Sequence, residues 1–196
     1  MAEQENIQGE LLRLQAEDLT LRDRLELRGE LESQGYHPEM EAVHVKNASR
    51  LKEIIRAHGW PGKSVAGAAG AEAAWLILQH AIGDPDLQRG AVPLLEKAVK
   101  AGEAPPWQLA YLHDRIAFFE GRPQKYGTHS DYAADGYLTV CPLLDEKRVD
   151  VFRKEAGLSP LEKPSREGVT PAAPEWLRQR NAEMHDWCVK KGWRSQ

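Results

Sequence analysis

The stretch Asp84–Gly121, DPDLQRGAVPLLEKAVKAGEAPPWQLAYLHDRIAFFEG, reads as two consecutive helices. Asp84-Pro85 combines a side chain able to cap a helix with a proline suited to its first turn. The helix it opens carries Leu87, Val92, Leu94, Leu95 and Val99, and stops at Gly102. Pro105-Pro106 opens a second, which carries Trp107, Leu109, Ala110, Leu112, Ile116, Phe118 and Phe119 as far as Gly121. A mainly α-helical chain follows if the flanking segments read the same way.

Upstream they do. Alanine and glycine dominate from Ala66 to Ala74 and lead into Trp75–His80, which marks a closely packed central helix. A helix from about Glu39 to Ala57 turns Val43, Leu51, Ile54 and Ile55 inward and stops at Gly59-Trp60-Pro61. The first 35 residues hold nine acids and four arginines, a net of −5. Within them Leu11, Leu14, Leu21 and Leu25 share one helical face, flanked by Leu12, Ala16 and Leu19. The spacing predicts one long amphipathic helix ending at Gly35. A stripe of this kind can seed a coiled coil, but it lasts under three heptads, which favours packing along its own domain.

Downstream the character changes. Gln124–Cys141 is rich in glycine, tyrosine and threonine, with Asp135-Gly136 as a hairpin turn before Tyr137–Val140. A small β-hairpin or an ordered loop is expected there. A helix from about Asp145 to Ala156, closed by Gly157, precedes a connection marked by Pro160, Pro164, Pro171 and Pro174. The last helix, Glu175 to Lys191, bears Trp176, Met184, Trp187 and Cys188. From Ala173 onward five bases face three acids, a net of +2. The organisation expected is a single helical domain: an N-terminal helix over 1–35, a core over 36–160, and a proline-rich connection and C-terminal helix over 161–196 packed on it. The long terminal helices, opposite in sign, are candidate surfaces for each other, for a protein partner or for self-association, although each surface charge pair contributes little.

Composition excludes several classes. The longest apolar run, Ala73–Leu78, is six residues, against the roughly 20 that span a bilayer. No basic region followed by an apolar stretch marks a signal peptide. Cys141 and Cys188 make neither a disulfide framework nor a zinc cluster. A net charge of −4 and an isoelectric point near 6.0 argue against nucleic acid as the main partner. The tail residues Arg178, Arg180, Lys190, Lys191 and Trp193 are the one place such binding would sit. The reading is a soluble, cytoplasmic, globular protein without a membrane partner.

Several motifs carry candidate chemistry. Gly62-Lys63-Ser64 lacks the earlier glycine of a phosphate loop and follows a helix, so it is not read as one. His113-Asp114, with His80 and either Asp131 or Asp135, has the ligand order of helical metal-dependent phosphohydrolases, but the pattern is loose. His80 and Asp84, four apart, would form an imidazole–carboxylate pair suited to general-base work; alternatively Asp84 only caps the next helix. The densest cluster is Asp114-Arg115 on an otherwise apolar helix, together with Gln124-Lys125-Tyr126-Gly127-Thr128-His129. On a strand Gln124, Tyr126 and Thr128 would share one face. They would suit a small polar or peptide-like ligand, or else pin the ribbon to the helices.

Gly59-Trp60-Pro61, Gln79-His80-Ala81, Asp114-Arg115, Gln124-x-Tyr126-Gly127-Thr128 and Arg153-x-x-x-Gly157-Leu158 resemble a widespread bacterial family known only as a domain of unknown function. The resemblance covers about residues 40–160. It implies a mainly helical domain with shared polar positions at His80, Asp114, Arg115, Gln124, Tyr126 and Thr128, and it brings no known activity. The expected function is an enzyme of hydrolysis or group transfer. His80 would be its general base or acid, Asp114 would orient a partner or bind a cation, Arg115 would hold an anionic group, and Gln124, Tyr126 and Thr128 would supply hydrogen bonds. No flavin, nicotinamide or haem signature is present, and neither a cofactor nor a metal is required. The alternatives are a non-catalytic binding or interaction module and a metal-dependent phosphohydrolase.

Overall fold

Proline starts four of the helices, where its fixed φ suits the first turn and its missing N–H costs nothing. A computed structural model describes residues 2–31 and 36–195. Among these the order is α1 (Ala2–Leu27), α2 (Pro38–His58), α3 (Lys63–His80), α4 (Pro85–Lys100), α5 (Pro106–Phe119), β1 (Ser130–Tyr132), β2 (Leu138–Val140), α6 (Val149–Glu155) and α7 (Pro174–Lys191). The fold is mainly α with one small antiparallel hairpin. No helix among the described residues is long and apolar enough to cross a membrane. α1 stops at Leu27, where Gly29 takes a left-handed φ of 68° and donates to Glu26 O. That is short of the expected end at Gly35, which lies outside the described residues. The chain divides into two compact units, Met1–Pro105 and Pro106–Gln196.

In the first unit α1 packs along α3 and α2. Leu11, Leu14, Leu21 and Leu25 are all buried there, so the stripe serves its own unit. The small residues of α3 permit this. A Cβ on Gly70 would lie 3.1 Å from Gln8 Cα, and one on Gly67 would lie 2.6 Å from Gln8 Oε1. Gly67, with φ 68°, also kinks α3. Acids of α1 meet bases of α2: Glu10 pairs with Arg50, and Glu17 lies 2.7 Å from Lys46. Helix ends are closed from within. Asp84 Oδ1 accepts from Leu87 N at 3.0 Å, and Glu103 Oε2 accepts from Ser64 N at 2.7 Å. Glu103 thereby fills the α3 N-terminus that Gly62-Lys63-Ser64 would have offered to a phosphate.

In the second unit β1 and β2 pair Ser130 with Val140, Asp131 with Thr139 and Tyr132 with Leu138. Phe119 of α5 stacks on Trp193 at 5.3 Å and packs on Trp187 at 5.7 Å. Arg194 Nε donates to Phe119 O at 2.8 Å, and Arg180 lies 2.7 Å from Asp131. Part of the basic, tryptophan-bearing tail is engaged in its own unit: Trp193 is core, Arg194 closes α5 and Arg180 is paired, while Arg178 and Lys190 are exposed.

Candidate functional site

Asp114 lies on the inner face of α5, with no exposed surface. Its carboxylate accepts from Lys125 N at 2.8 Å, Tyr126 N at 3.1 Å, Thr128 N at 3.0 Å and Thr128 Oγ1 at 3.0 Å. A strand points successive N–H groups to opposite sides. Because Lys125, Tyr126 and Thr128 all turn theirs onto one acceptor, 124–129 forms an ordered loop around Asp114, the second of the two forms expected for this segment. Gln124, equally buried, donates from Nε2 to His129 O at 2.8 Å and Cys141 O at 3.0 Å, and accepts from His129 N at 2.9 Å. Arg153 donates to Tyr126 O at 2.8 Å and to Ser159 O at 2.6 Å. Gly127, with φ 67°, brings the loop so near Leu161 that a Cβ would stand 3.0 Å from Cδ1. These residues pin backbone.

Arg115, half-buried, acts on His129. Burial first, then the Arg115 charge, pushes the His129 imidazole down to about 4, against the opposing pull of Asp131. His129 lies against Phe118 at 4.4 Å between ring centroids. Asp114, Tyr126 and Thr128 are thus brought together, with Gln124 in the same loop, and every acceptor position on Asp114 faces a donor of the chain itself.

A different cluster forms in the first unit. Asp18 of α1 has no exposed surface, and its two oxygens meet two imidazoles: Oδ1 lies 3.1 Å from His44 Nε2 and Oδ2 lies 2.6 Å from His80 Nδ1. A carboxylate only accepts, so both of those ring nitrogens carry their protons. His44 Nδ1 is then an acceptor for the hydroxyl of Tyr36. The imidazole rings stand 5.0 Å apart, tilted by 41°. Burial works to raise the Asp18 pKa, but hydrogen bonds and charge from His44 and His80 outweigh it and hold the carboxyl well below the usual range. His80 Nε2 makes no hydrogen bond among the described residues. Beside it opens a pocket of about 260 Å³ lined by Arg22, Leu31, Tyr36, His37, Met40, His44 and His80.

His80 therefore has its carboxylate, but the partner is Asp18. Asp84 caps α4 and pairs with Lys52 instead. Asp18, His44, Tyr36 and Arg22 were not among the candidates read from sequence. The signal for Asp18 was present: it fills the gap between Leu14 and Leu21, an acid where the stripe calls for an apolar residue. Of the groups of three or more metal-ligating side chains among the described residues, none includes His113 or Asp114.

Fold and site together define a mainly helical protein with a buried carboxylate–imidazole cluster beside a small pocket. A family described as a family of unknown function (DUF6624) matches residues 5–167, and the chain belongs to that family. No curated protein and no solved structure matches the chain. α7 begins beyond the matched residues.

Proposed function

We propose that the protein is an enzyme of hydrolysis or group transfer on a small polar substrate, with His80 as general base and acid. The observation that carries this reading is the single hydrogen bond from His80 Nδ1 to buried Asp18, which leaves Nε2 unbonded on a residue that lines the pocket. Asp18 fixes the tautomer and stabilises the imidazolium that forms when Nε2 takes a proton from water or a substrate hydroxyl. His44, itself held by the Tyr36 hydroxyl, bonds the other carboxylate oxygen and so keeps Asp18 oriented. Asp114, Gln124 and Thr128 take no part in the chemistry on this reading; they hold the loop of the second unit.

The test is turnover of p-nitrophenyl acetate, p-nitrophenyl phosphate and an aminoacyl p-nitroanilide by the full chain and by His80→Gln. Turnover of at least one is expected, with kcat lower by about 10²–10⁴ in the variant. No turnover of any of the three, or an unchanged kcat in His80→Gln, would return the pocket to a non-catalytic binding module.

One observation favours a second reading, a metal-dependent hydrolase. Asp18, His44 and His80 each offer a ligand atom, and these atoms lie within 4.8 Å of one another. Two imidazoles that line a pocket, with a buried carboxylate behind them, suit a catalytic divalent ion, which would supply an activated water. Turnover that survives chelation by EDTA removes this reading and leaves the first.

A further inference from the structure

We propose that the pocket beside His80 receives a small molecule bearing an oxyanion, a phosphate or a carboxylate, with Arg22 as its anchor. The proposal rests on the reading of this pocket as the substrate site and names the substrate class. Asp18 and Arg22 are four residues apart on α1, so they project to the same side of the helix one turn apart. One turn carries the buried acid that orients His80; the next carries an exposed guanidinium that lines the same pocket.

Among the described residues that line the pocket there is no aspartate or glutamate. Asp18, the nearest acid, is screened from it by His44 and His80, which take both its oxygens. Glu39 is held by Arg24 at 2.9 Å, and Glu30 stands 3.8 Å from His37 Nε2; neither lines the pocket. His37 Nδ1 accepts from Glu39 N, so its Nε2 carries a proton, and that nitrogen faces Glu30. Three other cations of this helix pair have acids of their own: Arg24 with Glu39, Lys46 with Glu17 and Arg50 with Glu10. Arg22 makes no ion pair among the described residues. A guanidinium matches the two oxygens of a carboxylate or phosphate face to face, and an uncancelled one beside a concave site is the arrangement such groups select. A volume of about 260 Å³ limits the occupant to metabolite size.

In such a complex the oxyanion pairs with Arg22 while the bond to be broken lies toward His80 Nε2. Binding and proton transfer then belong to different residues, which makes them separable. The test is calorimetric titration of the full chain with sodium phosphate, sodium acetate and sodium chloride at constant ionic strength, repeated for Arg22→Gln, Arg24→Gln and His80→Gln. Saturable binding of phosphate or acetate, absent for chloride, is expected, and the tighter of the two assigns the group. Arg22→Gln should weaken it at least about tenfold with an unchanged melting midpoint of the free protein, while Arg24→Gln leaves it unaltered. Binding of neither anion above chloride, or equal binding by Arg22→Gln, overturns the proposal. His80→Gln that keeps both anion binding and turnover removes the catalytic reading and leaves the anion site standing.

Discussion

Asp18 and Asp114 are both carboxylates without exposed surface, yet their donors differ in kind. Those of Asp114 are backbone N–H groups and a hydroxyl, none of which takes up a proton; those of Asp18 are imidazoles, each with a second ring nitrogen able to accept one. The first arrangement fixes a loop and the second can do chemistry. Asp114→Asn would turn an amide NH2 onto backbone donors and leave them without an acceptor. A loss of about 2–4 kcal/mol is expected in urea denaturation, and an unchanged midpoint would show that the loop does not depend on this carboxylate. His129 gives a second residue-scale expectation, in pH. Its folded pKa of about 4 lies below the ordinary 6.5, so between those values the unfolded chain binds the proton and the folded one does not. The stability it contributes is full above about 6.5 and falls as pH drops toward 4, by up to about 3 kcal/mol at 1.4 kcal/mol per pH unit. Denaturation midpoints measured from pH 7.5 to 4.5 should show this slope, and His129→Gln should flatten it; a slope unchanged in the variant would assign it to other groups.

At the scale of elements, α1 shows why small residues matter in α3. Gly70 sits where a Cβ would come 3.0 Å from Ala66 Cβ and 3.1 Å from the backbone of Gln8. Gly70→Val must therefore push α1 off its seat, at a cost of about 1–3 kcal/mol. Gly90 in α4, whose Cβ would meet nothing within 4 Å, is the control, and Gly90→Ala should be neutral or stabilising by up to about 1 kcal/mol. Thermal melting of the two variants separates the effects; equal midpoints would mean that the α1–α3 contact is loose. Helices were legible in the sequence because their signals are local: Asp84 caps α4 and Pro106 starts α5 as the residues suggest. The ribbon was legible only in part. Asp135-Gly136 does close the hairpin, but the alternation of Gln124, Tyr126 and Thr128 imitates a strand while a residue ten or more positions upstream gathers the backbone. The partner of His80 was hidden for the same reason. Asp84 is four residues away in sequence, whereas Asp18 is 62 away and arrives only when α1 docks on α3. Short-range spacing reports caps and faces; it does not report which distant side chain completes a site.

For the whole molecule, the division at Pro105 and Pro106 gives the two clusters separate homes. Every residue lining the His80 pocket, from Arg22 to His80, belongs to the first unit, while Asp114, Gln124, Thr128 and Arg153 belong to the second. The family match, residues 5–167, spans both units. The first unit also closes its own helix ends. Glu103 caps α3, Asp84 caps α4, and Gln88 Nε2 donates to Leu78 O at 2.9 Å near the end of α3. It holds a core of its own in Leu11, Leu51, Ile77, Leu78 and Leu95, each with 1% or less of its surface exposed. A chain of about 100 residues buries enough surface to fold alone. The fragment 1–105 should therefore show helical circular dichroism and one cooperative thermal transition, and should bind phosphate or acetate about as tightly as the full chain. If instead it is unfolded or melts without a transition, the second unit supplies part of the first unit's stability. If it folds but fails to bind the anion that the full chain binds, the pocket needs more of the chain than the residues that line it.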